Sequence, residues 1–304
     1  MTTALLFAGQ GIDPPWVAQD VLVRPRAQPL LAAAAEATGV DVARLLARGG
    51  RELARPAILQ PALVAACLCV AAELADAGVQ PAVVCGHSLG ELAAWAAGGQ
   101  VAAHDAIAAA ALRGRVMARE AERHPGGMVA VHGGPAELRR ALTAGRACGS
   151  LVLAAENARD EHVVSGTEPA LAAVLAAVPS TRLPVAGAWH SPAMAGAVDE
   201  LAAALAAVPA RPPHAVFVAN RTGAPAAPAA LPGLLAGQLV HPVRWVTALG
   251  ALRALGVTRH VVVGPGKLVR ALVRRTLGDV AIDIVDSMGD VARVADRMRA
   301  RVVV

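Results

Sequence analysis

One stretch limits the possible folds more than any other. Gly86-His87-Ser88-Leu89-Gly90 stands between an apolar run, Pro81–Cys85, and a helix-forming run, Glu91–Ala97. A strand that bends sharply into a helix around such a serine lifts the hydroxyl out of a sheet edge. The two glycines let the tight turn form and let backbone approach backbone. The start of the helix points free N–H groups at the same place. With 29 glycines and six serines in 304 residues, about 0.05 such matches are expected by chance.

The neighbouring segments extend this picture. Ala4–Ala8 reads as a second buried strand, ending in a turn at Gly9 and Gly11. Helices are predicted over 28–47, over Ile58–Ala77 with Pro61 in its first turn, and over Ala103–Glu122. Alternating strands and helices predict a parallel sheet covered on both faces. The pattern changes at His124–Gly127. Strands at Met128–His132, Ser150–Ala155, His162–Gly166 and Thr181–Val185, with helices at Pro135–Thr143 and Glu168–Val178, give the ferredoxin-like order βαββαβ. We therefore expect a large domain from 1–125 and 188–304, with a small inserted subdomain over 126–187. Further strands are expected at Val216–Ala219 and Val261–Val263, a helix from Lys267 after a Gly-Pro-Gly turn, and a loop over 222–232.

Composition narrows the function. Apolar residues make up 56% of the chain, enough for a sizeable core. There is no Tyr and there are only two Phe, so stacking on bases is not the working principle. The net charge is +5, carried almost wholly by scattered arginines, with Lys267 the one lysine. That distribution predicts no nucleic-acid site, and suits an acidic partner protein or a phosphorylated ligand. The four cysteines form no C-x-x-C pair, so no zinc site is expected, and they read as buried thiols of a cytoplasmic protein. The N-terminus has no charged segment before an apolar core, so no signal peptide is expected. Pro61–Leu74 is too short for a membrane span.

A serine nucleophile needs a base. His190 follows a predicted strand and meets Ser191-Pro192, a loop signal. His87 adjoins the serine, but sequence neighbours at such a turn point different ways. The other seven histidines read as surface or packing residues. Glu156, Asp160 and Asp199 could each supply an acidic third member, yet none carries a motif. A backbone carbonyl can orient an imidazole equally well.

Gly86-His87-Ser88-Leu89-Gly90-Glu91 resembles the signature of the malonyl-CoA:acyl-carrier-protein transacylases and the acyltransferase domains of polyketide synthases. Phe7-Ala8-Gly9-Gln10-Gly11 resembles the family's F-P-G-Q-G, and Gln60-Pro61-Ala62 its Q-P-A. Arg113-Gly114 with Met117 resembles R-G-x-x-M. Asn157 with Val163-Val164-Ser165-Gly166 resembles N-x(5)-V-x-S-G, and Ala188-Trp189-His190-Ser191-Pro192 resembles A-F-H-S-P. Gln238 with Pro242-Val243-Arg244-Trp245 and Gly264-Pro265-Gly266-Lys267 complete the series.

The resemblance implies an α/β-hydrolase-like large domain with a ferredoxin-like insertion. It implies Ser88 as nucleophile, His190 as base, and the Gln238 backbone carbonyl as the group that orients His190. The N–H groups of Gln10 and Leu89 would hold the oxyanion, and Arg113 the free carboxylate of the acyl group. Gln60, Met117 and Asn157 would line or brace the pocket. No bound cofactor is implied; a coenzyme A thioester such as malonyl-CoA is the substrate, and a phosphopantetheinylated acyl carrier protein the partner. The length suggests a free-standing protein rather than a piece of a synthase. Leu89 resembles malonyl-preferring members. Trp189 stands where the family has Phe, and would either shrink the pocket or pack outward. Ala8 and Ile12-Asp13 depart from the family beside the oxyanion loop. The same residues would also serve a hydrolase that clears carrier proteins, although such hydrolases tend to lack the arginine. They resemble the malonyl-transferring subunit of malonate decarboxylase too. A non-catalytic carrier-docking module is the remaining alternative.

Overall fold

The computed structural model describes residues 2–10 and 17–299. The first part runs β1 (Thr2–Phe7), α1 (Gln19–Leu22), α2 (Ala27–Thr38), α3 (Val42–Arg48), α4 (Pro56–Asp76), β2 (Val83–Gly86), α5 (Gly90–Ala97) and α6 (Ala103–Arg123). A middle part follows: β3 (Gly127–His132), α7 (Pro135–Arg146), β4 (Leu151–Ala158), β5 (Glu161–Gly166), α8 (Glu168–Ala177) and β6 (Ser180–Arg182). The last part holds α9 (Val198–Ala206), β7 (Val216–Ala219), β8 (Ala224–Pro225), α10 (Leu231–Gly237), α11 (Trp245–Ala254), β9 (Val257–Val263), α12 (Lys267–Leu277), β10 (Ala281–Val285) and α13 (Met288–Arg299).

The larger sheet has the order β10-β9-β1-β2-β7-β8. Its first five strands are parallel, and β8 is an antiparallel edge. Strands covered on both faces need unbroken apolar runs, which Ala4–Phe7 and Val83–Cys85 supply. The carboxyl ends of β1, β2, β7 and β9 therefore share one edge, where open α/β sheets carry their sites.

Glycine lets the elements close up at that edge. A Cβ on Gly90 would overlap the Phe7 carbonyl, and one on Gly86 would overlap the backbone of Gly90. The start of α5 can thus lie directly against the end of β1. The same logic joins α4 and α6: a Cβ on Gly114 would strike the Pro56 carbonyl. That close crossing brings Arg113 of α6 within reach of Gln60 of α4.

The helix α4 is apolar on every side because it lies in the core. It is the one helix among the described residues long and apolar enough to cross a membrane, and 83% of its most apolar window is buried. It starts at Pro56 rather than Ile58, so Pro56 takes the first-turn position and Pro61 lies inside the helix.

The expected helix over 28–47 is instead two helices. Gly39 adopts φ 73, a left-handed cap that ends α2, and the Asp41 carboxylate accepts the Arg44 N–H at 3.0 Å to start α3. The strand expected at Thr181–Val185 is only Ser180–Arg182, since Pro184 cannot donate to a ladder. The loop expected over 222–232 includes the short β8 and the start of α10.

The middle part forms an antiparallel sheet of order β4-β5-β3-β6, the ferredoxin-like arrangement. It has its own apolar cluster, in which Val129, Val131 and Val164 meet Leu171 and Val174 of α8. Two features tie it to the larger sheet's layer. Glu156 N–H donates to the Val243 carbonyl and Val243 N–H to the Ala154 carbonyl, both at 2.9 Å. Arg275 of α12 pairs with Asp160 at 2.7 Å and Glu161 at 2.6 Å.

Candidate active site

Ser88 sits at the bend between β2 and α5 with φ 51. His190 has φ 56, and these two are the only non-glycine residues with positive φ among the described residues. Left-handed backbone costs an ordinary residue about 1–3 kcal/mol and persists where the surroundings impose it. The two strained residues meet: Ser88 Oγ lies 2.7 Å from His190 Nε2.

The proton positions follow from the partners. His190 Nδ1 is 2.8 Å from the Gln238 carbonyl, which can only accept. Nδ1 therefore carries the hydrogen, and Nε2 accepts from the serine hydroxyl. Burial, and then the neighbouring Arg113 cation, push the His190 imidazole down to about 3. It is neutral near pH 7, the form a base requires.

The Arg113 guanidinium is buried beside this pair. It donates to Ser88 Oγ at 3.3 Å, to Gln60 Oε1 at 2.9 Å and to Gln238 Oε1 at 3.3 Å. Its Nε has no partner among the described residues. Burial lowers its pKa to about 10, so it stays cationic at neutral pH. Gln60 spends its amide on Met117, Nε2 to Sδ at 3.5 Å. Met117 is one turn along α6 from Arg113, and both are buried.

The other candidates lie further out. Asn157 does not reach the serine; its Oδ1 is 2.9 Å from His87 Nε2, and its Nδ2 donates to Glu161 at 3.1 Å. His87 thus spends Nε2 on Asn157 rather than on Ser88 Oγ, and its ring is edge-on to Trp245. Trp189 is buried and lines a cavity of about 370 Å³ with Pro56, Ala118 and Glu122; Ser88, His190 and Arg113 do not line that cavity. Gly9, before Gln10, runs so close to the bend that a Cβ would lie 2.6 Å from the His87 carbonyl. Leu89 is buried directly before α5. Ala8 is buried, while Ile12 and Asp13 fall outside the described residues. Among the described residues no group of His, Cys, Asp and Glu could hold a metal ion.

Two residues of the site escaped sequence reasoning. Asn220 follows β7 and is fully buried. Its Oδ1 accepts the Ser88 N–H at 2.6 Å, and its Nδ2 donates to the Gly86 carbonyl at 2.6 Å. Both sides of the strained bend are held by one amide. The available signal was its position: a polar residue directly after a buried strand of a parallel sheet. Glu91 was seen only as the end of the serine motif. It accepts the Asn220 N–H at 2.7 Å and the Gln238 side-chain amide.

A parallel α/β sheet with a strained serine turn on its carboxyl edge, and an antiparallel sheet inserted beside it, defines a protein of the α/β-hydrolase-like class. Residues 19–301 match the family model for the acyl transferase domain, and the chain belongs to that family. It is 36% identical over 303 residues to the malonyl CoA-acyl carrier protein transacylase of Mycobacterium bovis, covering 96% of this chain and 99% of that one. It is 33% identical to part of a phenolphthiocerol synthesis polyketide synthase of Mycobacterium marinum, covering 94% of this chain and 14% of the synthase. The solved structure of MCAT from Mycobacterium tuberculosis is 35% identical, with a TM-score of 0.89 over 97% of this chain and all of that one.

Proposed function

We propose that the chain moves a malonyl group from coenzyme A to the phosphopantetheine thiol of an acyl carrier protein through an ester on Ser88. The observation that carries this reading is that one oxygen, Ser88 Oγ, faces both a neutral imidazole at 2.7 Å and a buried guanidinium at 3.3 Å. A malonyl ester on that oxygen has its free carboxylate only three bonds away, within reach of Arg113. A planar guanidinium holds a carboxylate through two parallel hydrogen bonds.

The steps balance as follows. Ser88 Oγ attacks the thioester carbonyl carbon while its proton passes to His190 Nε2. The C–S bond breaks, and His190 returns the proton to the departing coenzyme A sulfur. The carrier thiol then attacks the ester by the reverse route and frees Ser88. Gln238 keeps His190 in the required tautomer. The Leu89 and Gln10 N–H groups meet the developing oxyanion, each worth about 3–4 kcal/mol of barrier. Ser88 N–H is already bonded to Asn220, which leaves Leu89 as the next donor along the bend. Coenzyme A enters as substrate and no resident cofactor takes part. A cytoplasmic location and the division into 1–125 with 188–304 and 126–187 belong to the same proposal; the separate apolar cluster of the middle part supports the division.

The test is to load the protein with malonyl-CoA, remove the excess, and follow the ester with and without holo carrier protein. Persistence in water and rapid appearance of malonyl on the carrier is the expected result. Equal discharge in both samples would mean a hydrolase.

The pH dependence follows from His190. The neutral imidazole is the base, and its protonated form takes over only below its pKa. A value of about 3 keeps the base form throughout pH 5–7. We expect kcat/KM for malonyl-CoA to be flat over that range. A fall with an apparent pKa near 6.5 would contradict the depressed imidazole.

A further inference from the structure

Both strained residues are held by groups that meet on one buried carboxylate. Glu91 is 1% exposed, in the first turn of α5. Its Oε1 accepts the Asn220 N–H, and Asn220 grips the Ser88 N–H and the Gly86 carbonyl. Its Oε2 accepts the Gln238 side-chain amide, and the Gln238 backbone carbonyl holds His190 Nδ1. The other end of the Gln238 amide, Oε1, accepts Arg113 Nη2. Resting on the Ser88 ester reading above, we propose that Glu91 is a positioning residue, fixing nucleophile, base and carboxylate clamp in one register.

The hydrogen-bond directions require an acceptor at both oxygens. Asn220 N–H is a backbone donor and cannot turn round. Gln238 must present Nε2 to Glu91, because its Oε1 faces a guanidinium that has only donors. Burial raises the Glu91 carboxyl, opposed by the Asn220 N–H and by the Arg113 cation; with a donor on each oxygen and no acceptor for a carboxyl proton, it stands as the carboxylate. A glutamine at 91 has the same shape but offers one donor and one acceptor. Either it sets N–H against the Asn220 N–H and loosens the Ser88 bend, or it sets N–H against Gln238 Nε2. In the second case Gln238 must flip its amide and aim N–H groups at Arg113. One buried polar contact is lost whichever way it turns.

The test uses Glu91→Gln and the double variant Glu91→Gln with Gln238→Glu. In the double variant the new amide at 91 donates to the new carboxylate at 238, which still accepts from Arg113. The complementarity returns with the total charge unchanged. Ser88 ester formation per folded active site is followed against donor concentration, with malonyl-CoA and with acetyl-CoA, on the full chain; its maximal rate is taken as kcat and its half-saturating concentration as KM.

For Glu91→Gln we expect kcat to fall on the order of 10- to 100-fold with both donors. The double variant should regain most of the loss in kcat. Its KM for malonyl-CoA should be raised above wild type, because the carboxylate at 238 competes for Arg113, while KM for acetyl-CoA stays near wild type. A purely structural role would lower thermal stability without this split. A Glu91→Gln rate within twofold of wild type overturns the inference, as does a double variant no faster than the single one. Should Glu91→Gln fail to fold, the double variant decides alone: kcat within about tenfold of wild type supports the inference, and an inactive or unfolded protein overturns it. Wild type forming no ester would instead sink the parent reading.

Discussion

Replacing Ser88 by alanine is expected to lower malonyl transfer on the order of 10⁶-fold, as in enzymes whose serine and histidine act as one unit. The change leaves the fold intact. Alanine keeps the backbone N–H that Asn220 accepts, and the bend is held from both sides by that amide. Only the oxygen proposed to carry the ester is removed. Thermal melting should differ little from wild type, so that the lost rate reports chemistry. Transfer within about tenfold of wild type in a steady-state assay would mean that another residue carries the acyl group.

Arg113→Ala is the second large effect, and it separates substrates. Malonyl loading should fall about 10³-fold, since the ester's carboxylate would lie buried without its partner. Acetyl-CoA has no carboxylate to lose. Moreover, Arg113 is one of the causes that depress His190, so its removal raises the imidazole pKa and makes a stronger base. Acetyl loading should therefore change less than about tenfold. The truncation leaves Gln60 Oε1 and Gln238 Oε1 without their donor, at about 1–3 kcal/mol each. A lower melting temperature is expected, and rates must be normalised to folded protein. Equal loss with both donors would contradict the carboxylate-clamp role.

Much of this was legible in the residues, for identifiable reasons. The serine bend is written locally, because glycines at 86 and 90 permit a backbone crossing that a Cβ would block. Gly114 beside Arg113 is a similar record of close packing, and it explains why the arginine of an ordinary-looking helix reaches Gln60. His190 stood out by its context, after a predicted strand and Gly187-Ala188-Trp189 and before Ser191-Pro192. What the sequence did not disclose is long-range pairing. Asn220 lies 132 positions from Ser88, and Glu91 147 from the amide it holds on Gln238. No spacing rule connects such residues; only the strand order β1-β2-β7 brings them to one edge. Local signals were also missed where they were plain. Gly39 and Asp41 mark an end and a start inside what had read as one helix. Trp189 shows the converse limit. The residues leave open whether its ring shrinks the pocket or packs outward; it is buried beside a cavity that Ala118 and Glu122 of α6 also line, a packing that sequence does not encode locally.

The proposed transfer turns on a single covalent bond, and intact-protein mass spectrometry reads it directly. The folded protein is mixed with malonyl-CoA, quenched in acid, weighed, and then digested to locate the modification. We predict a mass gain of one malonyl group, carried by the peptide containing Ser88 and absent from the Ser88→Ala variant. A folded wild-type protein that gains no mass, or that gains it on another residue, would contradict the account.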